Sequence, residues 1–320
     1  MSLSHFAGLQ KGSYNFLLVC HHWFEVASYT PEIWSFWGNT LQGWKKRHGH
    51  PGAAPIDLVL DGYKSSPAVP FDESLQGAIR NHVIQGTIRQ VHLSSESSHT
   101  LASVISSLTP DDEEYRNENI ESIVWLNGGY SPVEVSNFFA RSRLSRLRLL
   151  DLSGNLWSSS WDCLAPRTTL LTALSLNIST SQPTPTLTTS QLFSILTSNS
   201  NLRELILFNA GLPNDANTSP LKAQLRSLKN LSLKGEFHPL FELLRRLILP
   251  EALDEIHLGI INPSAEDISQ TLGPYIRDYF RRDTRFQDNL EVYPSSIHGH
   301  TSISVGTVRT RTTVPEQRVP

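Results

Sequence analysis

The sequence is poor in cysteine and has no long apolar run. Its 320 residues include only Cys20 and Cys163, which allow at most one bridge and exclude a disulfide-stabilised scaffold. No apolar run approaches the roughly 20 residues of a membrane-spanning helix, and residues 1–20 lack the apolar core of a secretory signal. We therefore expect a protein of the cytoplasm or nucleus that does not enter a membrane.

An excess of positive charge is also missing. Lys and Arg number 27 against 30 Asp and Glu, which gives a formal net charge of -3. A chain with this balance has no general positive field that would concentrate it on nucleic acid or on an anionic membrane, so we expect neither as a partner. Hydrophobic residues make up 39% of the chain, which is enough for a substantial buried core.

Patterns that mark catalytic, cofactor and metal sites are absent from the sequence. We find no nucleophile spaced with a base and an orienting residue, no paired carboxylates and no glycine-rich phosphate loop. Cys20, His21 and His22 are consecutive on a predicted helix, so they point about 100° apart and cannot bind one ion together. A zinc site would need further ligands, such as His48 and His50. We therefore expect a protein without enzymatic activity, cofactor or metal.

A repeated hexamer organises most of the chain. The pattern L-x-x-L-x-L, or a conservative version of it, recurs at intervals of 24 to 33 residues. It occurs in PIDLVL (55–60), IRQVHL (88–93), IESIVW (120–125), LRLLDL (147–152), LTALSL (171–176), LRELIL (202–207), LKNLSL (228–233) and LDEIHL (253–258). This spacing is typical of degenerate leucine-rich repeats with inserted loops.

Helical spacing lies between several of the hexamers. Leu101, Val104, Ile105 and Leu108 follow the i, i+3, i+4, i+7 pattern, and a similar stripe runs over residues 240–247. Alternating strands and helices favour an α/β leucine-rich-repeat solenoid, in which parallel strands are backed by helices. The alternative is a doubly wound parallel sheet, which predicts a glycine-rich phosphate turn that the sequence does not contain.

One side of each predicted strand is available for binding. The fourth and sixth residues of each hexamer are apolar while the fifth varies, which is the period-2 pattern of a strand buried on one side. The varying side would form the concave face of the solenoid, where repeat proteins usually bind partners. The candidate partner-binding residues on this face are His92, Leu126, Asp151, Asn177, Glu204, Phe208, Lys234 and His257.

Apolar residues in the middle repeats point to a protein ligand. Val124, Leu126, Leu149, Ile206 and Phe208 all fall on the predicted concave face, and exposed apolar area of this kind marks protein-binding sites. The alternatives are a loop that covers these side chains or a register shifted by one residue. We hypothesise that Leu126 and Phe208 anchor a protein substrate and that Asp151 and Glu204 flank them.

The first fifty residues differ from the rest in their aromatic density, since they contain four of the seven tryptophans. A helix is predicted from Asn15 to Ser28, and Thr30-Pro31 ends it. The segment matches V-C-x-x-W-x-x-h-A-x-x-T-P-x-h-W, where h is apolar. The matching residues, which we take as core or adaptor-facing, include Val19, Cys20, Trp23, Val26, Pro31 and Trp34.

This motif resembles the C-terminal half of a fungal F-box-like domain, and PIDLVL resembles the first strand that follows that domain. The resemblance implies a substrate receptor of a Skp-cullin-F-box ubiquitin ligase: the module would bind a Skp-type adaptor and thereby the cullin core. The ligase chemistry would belong to other subunits. Residues 1–12 carry nothing like the family's first helix, L-P-x-E-h-h-x-x-I-F, so either the module is shortened or the start lies upstream.

Three regions follow from these patterns. Residues 1–50 form the partial F-box-like helical module, and residues 51–280 form a solenoid of about eight degenerate repeats that ends in a helix over 264–280. Ser264 and Asp267 have the spacing of a helix-capping pair. Residues 281–320 are rich in Ser, Thr and Pro and are predicted to be a polar, flexible tail. The alternation in SISVGTV (302–308) leaves an added edge strand as the alternative.

Overall fold

The computed structural model describes part of the 320-residue chain. Described are residues 36–37, 55–61, 73–109, 117–158, 161–178, 187–208, 222–250, 253–261, 264, 267–275, 278, 290–297 and 300–307. The chain divides into two compact units: Met1–Leu171 with Ser181–Pro185, and Thr172–Thr180 with Thr186–Pro320. The division falls within the segment that the sequence predicts as one solenoid, and each unit is described separately below.

The first unit contains a parallel sheet whose strands follow one another in sequence order. These strands are β1 (Phe36–Trp37), β2 (Ile56–Asp61), β3 (Ile88–Ser95), β4 (Ser122–Asn127) and, after a short strand β5 (Val133–Glu134), β6 (Leu149–Gly154). Strand β5 pairs instead with β7 (Leu156–Trp157) in a separate two-stranded parallel sheet. Each parallel connection must return the chain to the same end of the sheet, which explains the long segments between strands.

Helices occupy the connections from β2 to β6 in the first unit. They are α1 (Glu73–Ile84), α2 (Ser98–Leu108) and α3 (Ser136–Arg141). Helix α2 begins at Ser97, whose side chain accepts a hydrogen bond from the Thr100 backbone N–H, as expected of an N-cap. Its buried face includes the four apolar residues of the predicted stripe over 101–108, so the predicted helix is confirmed.

The core of the first unit lies between the strands and these helices. Trp125 on β4 is fully buried and makes an edge-on contact with Phe138 of α3, with ring centroids 4.9 Å apart. Phe139 completes the cluster at 5.6 Å from Trp125. Aromatic pairs in such edge-to-face geometry add to the stabilisation that burial of their area already provides. This cluster fixes α3 against the sheet.

The second unit repeats the parallel arrangement. Strands β8 (Ala173–Ile178), β9 (Glu204–Phe208), β11 (Asn230–Glu236) and β13 (Glu255–Ile261) pair in that order. Strand β10 (Ala223–Gln224) and β12 (Leu247–Ile248) form a small parallel sheet of their own. The helices are α4 (Thr189–Ser198), which begins with a capping box at Thr188 and Gln191, and α5 (Phe237–Arg246). The stripe predicted over 240–247 falls on α5 except for its last residue, Leu247, which begins β12.

The last part of the second unit differs from the sequence prediction. A π-helical segment covers Asp267–Leu272, and Ser264 and Asp267 form the predicted capping pair, with two N···O distances of 3.0 Å. Within the predicted tail, β14 (Leu290–Ile297) and β15 (His300–Thr307) form an antiparallel pair, and β15 pairs antiparallel with β13; the other residues of 281–320 lie outside the described residues. The alternation over 302–308 predicted strand β15 better than the Ser, Thr and Pro content did, because an unpaired edge of β13 can accept such a strand.

The fold is α/β, with mostly parallel sheets backed by helices. The period-2 alternation read from the hexamers is present in the structure. Their fourth and sixth residues are buried except Leu60, which is half-buried; the buried ones are Leu58, Val91, Leu93, Ile123, Trp125, Leu150, Leu152, Leu174, Leu176, Leu205, Leu207, Leu231, Leu233, Ile256 and Leu258. The register of the sequence prediction was therefore not shifted by one residue.

Candidate functional site

The strand positions opposite this core form one face in each unit. We call the first-unit face the set Asp57, Val59, Asp61, Gln90, His92, Ser94, Ser122, Val124, Leu126, Leu149, Asp151 and Ser153. The strand register aligns these residues in rows across the sheet: Val59, His92, Val124 and Asp151 form the middle row. Side chains in such a row stand beside their neighbours at the distance between strands, so they act as one surface.

The apolar members of the first-unit face are partly open to solvent. Val59, Val124, Leu126 and Leu149 are all of intermediate exposure. Ser94 is the exception on this face, since it is only 6% exposed. A sheet face that leaves several aliphatic side chains half-exposed beside one another is suited to binding another apolar surface.

An ion pair occupies the start of this face. Arg89 donates two hydrogen bonds to the Asp57 carboxylate, at 3.0 and 2.7 Å. The pairing of Ile56 with Ile88 and of Asp57 with Gln90 leaves Arg89 as an extra residue in β3, a bulge that directs its side chain towards Asp57. The hydrogen bond with this carboxylate raises the pKa of the Arg89 guanidinium above its ordinary value. The charge of Asp57 is thus matched within the protein.

Asp151 has a different environment. It lies on β6 in register with Val124 and is half-exposed. Its Oδ1 atom accepts a hydrogen bond from the Ser153 hydroxyl at 3.1 Å. Among the residues that the structure describes, none forms an ion pair with this carboxylate. Asp151 therefore presents a charge to whatever covers the middle of the face.

A hydrogen-bonded turn borders the face where β4 ends. Asn127 is buried and uses all of its polar atoms: its amide donates to the Ser131 and Asn155 carbonyl oxygens at 3.0 and 2.7 Å. Its Oδ1 accepts from the Gly129 backbone N–H at 3.0 Å and from the Ser98 hydroxyl at 3.2 Å. These bonds fix the loop that follows β4.

Tyr130 stands at the tip of that loop. Its side chain is 96% exposed, although the residues before and after it are held by Asn127. Asn155 donates a further hydrogen bond to the Gly129 carbonyl at 2.7 Å. Exposed tyrosines on rigid backbone are effective protein contacts, because little side-chain entropy is lost when they are covered. Tyr130 is not among the predicted partner-binding residues, although the Gly-Gly pair before it marks a turn.

The second-unit face is the equivalent set Ala173, Ser175, Asn177, Glu204, Ile206, Phe208, Asn230, Ser232, Lys234, Glu255, His257 and Gly259. Phe208 lies in register between Asn177 and Lys234. Ile206 and Phe208 are partly exposed, whereas Lys234 and His257 are exposed. His257 contacts the Glu255 carboxylate at 2.8 Å. This face carries charges of both signs beside its apolar side chains.

The predicted partner-binding residues divide between the two faces. His92, Leu126 and Asp151 belong to the first unit, and Asn177, Glu204, Phe208, Lys234 and His257 belong to the second. The predicted F-box-like residues Val19, Cys20, Trp23, Val26, Pro31 and Trp34 lie outside the described residues, as does the Cys20-His21-His22 segment. Of residues 1–50, which we call the leader, the structure describes Phe36–Trp37, which pair with β2.

The described cysteine, histidine and carboxylate side chains bear on catalysis and metal binding. In the described part of the chain, no three His, Cys, Asp or Glu side chains are grouped to hold a metal ion. Burial raises the pKa of the Cys163 thiol, so this cysteine is a poorer nucleophile than a free thiol. None of the helices among the described residues combines the length and apolar content needed to span a bilayer.

Comparison with known proteins gives no match. No family model fits the chain, and neither a curated protein nor a solved structure is significantly similar to it. Any function must therefore be argued from the residues and the geometry described above.

Proposed function

We propose that this chain is a non-catalytic protein-binding protein of leucine-rich-repeat type that holds its ligand on the strand faces. The observation that carries the proposal is that half-exposed apolar side chains lie at nearby positions on each face: Val124, Leu126 and Leu149 in the first unit, Ile206 and Phe208 in the second. Side chains of this type gain free energy when a protein partner covers them, at about 25 cal/mol per Å² of apolar area.

Strand order supports the repeat interpretation over the doubly wound one. Within each unit the parallel strands of the main sheet pair in sequence order, from β1 to β6 and from β8 to β13. A doubly wound sheet reverses its strand order at a switch point and binds ligands there. A stack of repeats that contact only their neighbours has no such reversal within it.

The finer proposal is a substrate receptor of a Skp-cullin-F-box ubiquitin ligase in the cytoplasm or nucleus. Its support is the leader motif, from Val19 to Trp34, which resembles the C-terminal half of an F-box-like domain. In such a receptor the leader binds the Skp-type adaptor, and the strand faces hold the protein substrate. The alternative is a repeat scaffold that does not engage the adaptor.

Co-purification with a Skp-type adaptor distinguishes these two proposals. We expect the full chain to form a stoichiometric adaptor complex, which Trp23→Ala and Trp34→Ala abolish while circular dichroism shows an intact fold. A folded chain that forms no complex would leave the scaffold as the remaining alternative.

The ligand face is tested independently of the adaptor. Proteins cross-linked to the full chain in cell extract would be compared for the unchanged chain, Phe208→Asp and Ile248→Asp. Ile248 is the matched control because it is 45% exposed but lies on β12, outside the second-unit face. We expect partners that Ile248→Asp retains and Phe208→Asp loses. Equal recovery with both variants would contradict binding on this face.

A further inference from the structure

The first-unit face is acidic as well as apolar. Its carboxylates with described side chains are Asp57 and Asp151, and Arg89 is bound to the first of them. The second-unit face differs, since Lys234 accompanies Glu204 and Glu255 there. Because Arg89 balances Asp57, the charge left on the described part of the first-unit face is the negative one of Asp151, and an anionic group would be repelled from it.

The two structurally described carboxylates on this face are not equivalent. Asp57 receives both of its close hydrogen bonds from Arg89, so its charge is already balanced. Asp151 receives a hydrogen bond from the neutral Ser153 hydroxyl. A carboxylate has about four acceptor positions, so this single bond leaves capacity for donors supplied by a ligand.

The position of Asp151 makes its charge matter to a ligand. Val124 lies beside it in the middle row, and Leu149 lies two residues before it on the same face of β6. A protein segment that covers these apolar side chains also removes water from the carboxylate. Covering an ionised carboxylate without a compensating partner is costly, whereas a guanidinium or ammonium group supplies both charge and hydrogen bonds.

We propose that the first-unit face selects a protein segment that carries Lys or Arg between apolar residues, with the cation placed on Asp151. The apolar residues pack on Val124, Leu126 and Leu149, and the rigid loop presents Tyr130 at the end of β4 as a further contact. This inference rests on the proposed function, because it names the chemistry of the ligand that the face binds.

The test uses a display library of random 12-residue peptides selected on the immobilised full chain. Peptides are assigned to the first-unit face when Leu126→Asp abolishes their binding and Ile84→Asp does not. Ile84 is a suitable control because it is 47% exposed on α1, outside the face. We expect the assigned peptides to be enriched in Lys or Arg flanked by apolar residues.

Variants of Asp151 then test the named contact. Asp151→Asn keeps the shape of the side chain, and we expect it to weaken binding of an assigned peptide by at least ten-fold. Asp151→Arg should instead select peptides that contain Asp or Glu. Glu134→Arg makes the same change of charge at an exposed position on β5 and should leave the selected sequences unchanged.

The outcomes separate failure of this inference from failure of the proposed function. Assigned peptides without cationic enrichment, or equal affinity for the unchanged chain and Asp151→Asn, would overturn the inference and leave protein binding on the face intact. If no selected peptide depends on Leu126, and none depends on Phe208 either, both the inference and the proposed function fail. Circular dichroism of each variant confirms folding, and Asp151→Asn decides the matter if Asp151→Arg does not fold.

Discussion

At the scale of single residues, Asn127 links three parts of the first unit. Its four hydrogen bonds join the end of β4 to the loop around Gly129, to Asn155 after β6 and to Ser98 at the start of α2. A buried amide that satisfies all of these groups at once cannot be replaced by an apolar side chain without leaving buried polar atoms unpaired.

We predict that Asn127→Ala lowers the free energy of unfolding by about 2–4 kcal/mol, because it leaves the Gly129 N–H and two carbonyl oxygens without their side-chain partner. Urea denaturation followed by circular dichroism measures this change. Asn119→Ala is the matched control: Asn119 is exposed and makes one hydrogen bond, to the Gly86 carbonyl at 2.7 Å, so its loss should cost less than about 1 kcal/mol. Similar losses in the two variants would contradict the linking role of Asn127.

The sequence predicted which residues face the core but not how side chains bond across the turns. Leu150 and Leu152, for example, follow from the alternation alone. The turn after Asn127 has a local signal in its glycines, but the bonds of Asn127 to Ser98 and Asn155 do not, since these partners lie 29 and 28 residues away in sequence. Gly154 is similar: its φ of +88° and its position against the Asn127 carbonyl oxygen, where a Cβ would collide, depend on the neighbouring strand. Such features arise only when neighbouring strands pair, so the local sequence does not reveal them.

At the scale of elements, predictability depends on how clear the apolar pattern is. Helix α2 was predicted because its buried residues repeat at helical spacing. Helix α1 was not: its described buried residues, Ala78, Ile79 and Val83, include only one large apolar pair at i, i+4, and Gly77 weakens its helical tendency. The bulge at Arg89 also has no local signal, because it depends on pairing with β2.

The capping pair at the π-helical segment makes a prediction about pKa. The Ser264 side chain, through its hydrogen bond, lowers the pKa of Asp267 below its ordinary 3.8. A carboxyl group whose pKa is lower in the folded chain stabilises it above pH 3.8, and this contribution is lost as the pH falls through the folded-state value.

We therefore predict that Ser264→Ala raises the pKa of Asp267 towards 3.8, as followed by carbon NMR of the carboxyl group during an acid titration. Ser264→Thr retains a hydroxyl that can donate to the carboxylate and should keep the pKa low. An unchanged Asp267 pKa in Ser264→Ala would show that the hydroxyl is not the cause of the shift.

At the scale of the whole molecule, the second unit ends its parallel sheet with an antiparallel strand. Strand β15 pairs with β13 from His257 to Ile261, and β14 pairs with β15. The pairing covers an edge whose backbone N–H and C=O groups would otherwise be open to another chain. The composition of residues 281–320 concealed this, since Ser, Thr and Pro favour disorder unless a neighbouring strand supplies partners.

Removal of residues 290–320 should uncover the edge of β13. We predict that backbone amides of Glu255–Ile261 that face β15 exchange their hydrogens at least ten-fold faster in the shortened chain, as measured by hydrogen–deuterium exchange. A chain that ends at residue 308 retains both strands and is the control. Equal exchange in the two shortened chains would contradict the edge-covering role.

The row arrangement of the first-unit face also sets the length of what it recognises. Neighbouring strands lie about 4.8 Å apart. The four strands that carry this face, β2, β3, β4 and β6, therefore span roughly 14 Å. An extended chain advances about 3.3 Å per residue, so a segment that crosses these strands directly covers about five residues. Its side chains on one side recur only about every 6.6 Å, which does not match the strand spacing. Only two or three side chains of such a ligand therefore contact this face and determine which ligands it selects. A single cationic side chain is then a third to a half of the side chains that the face recognises.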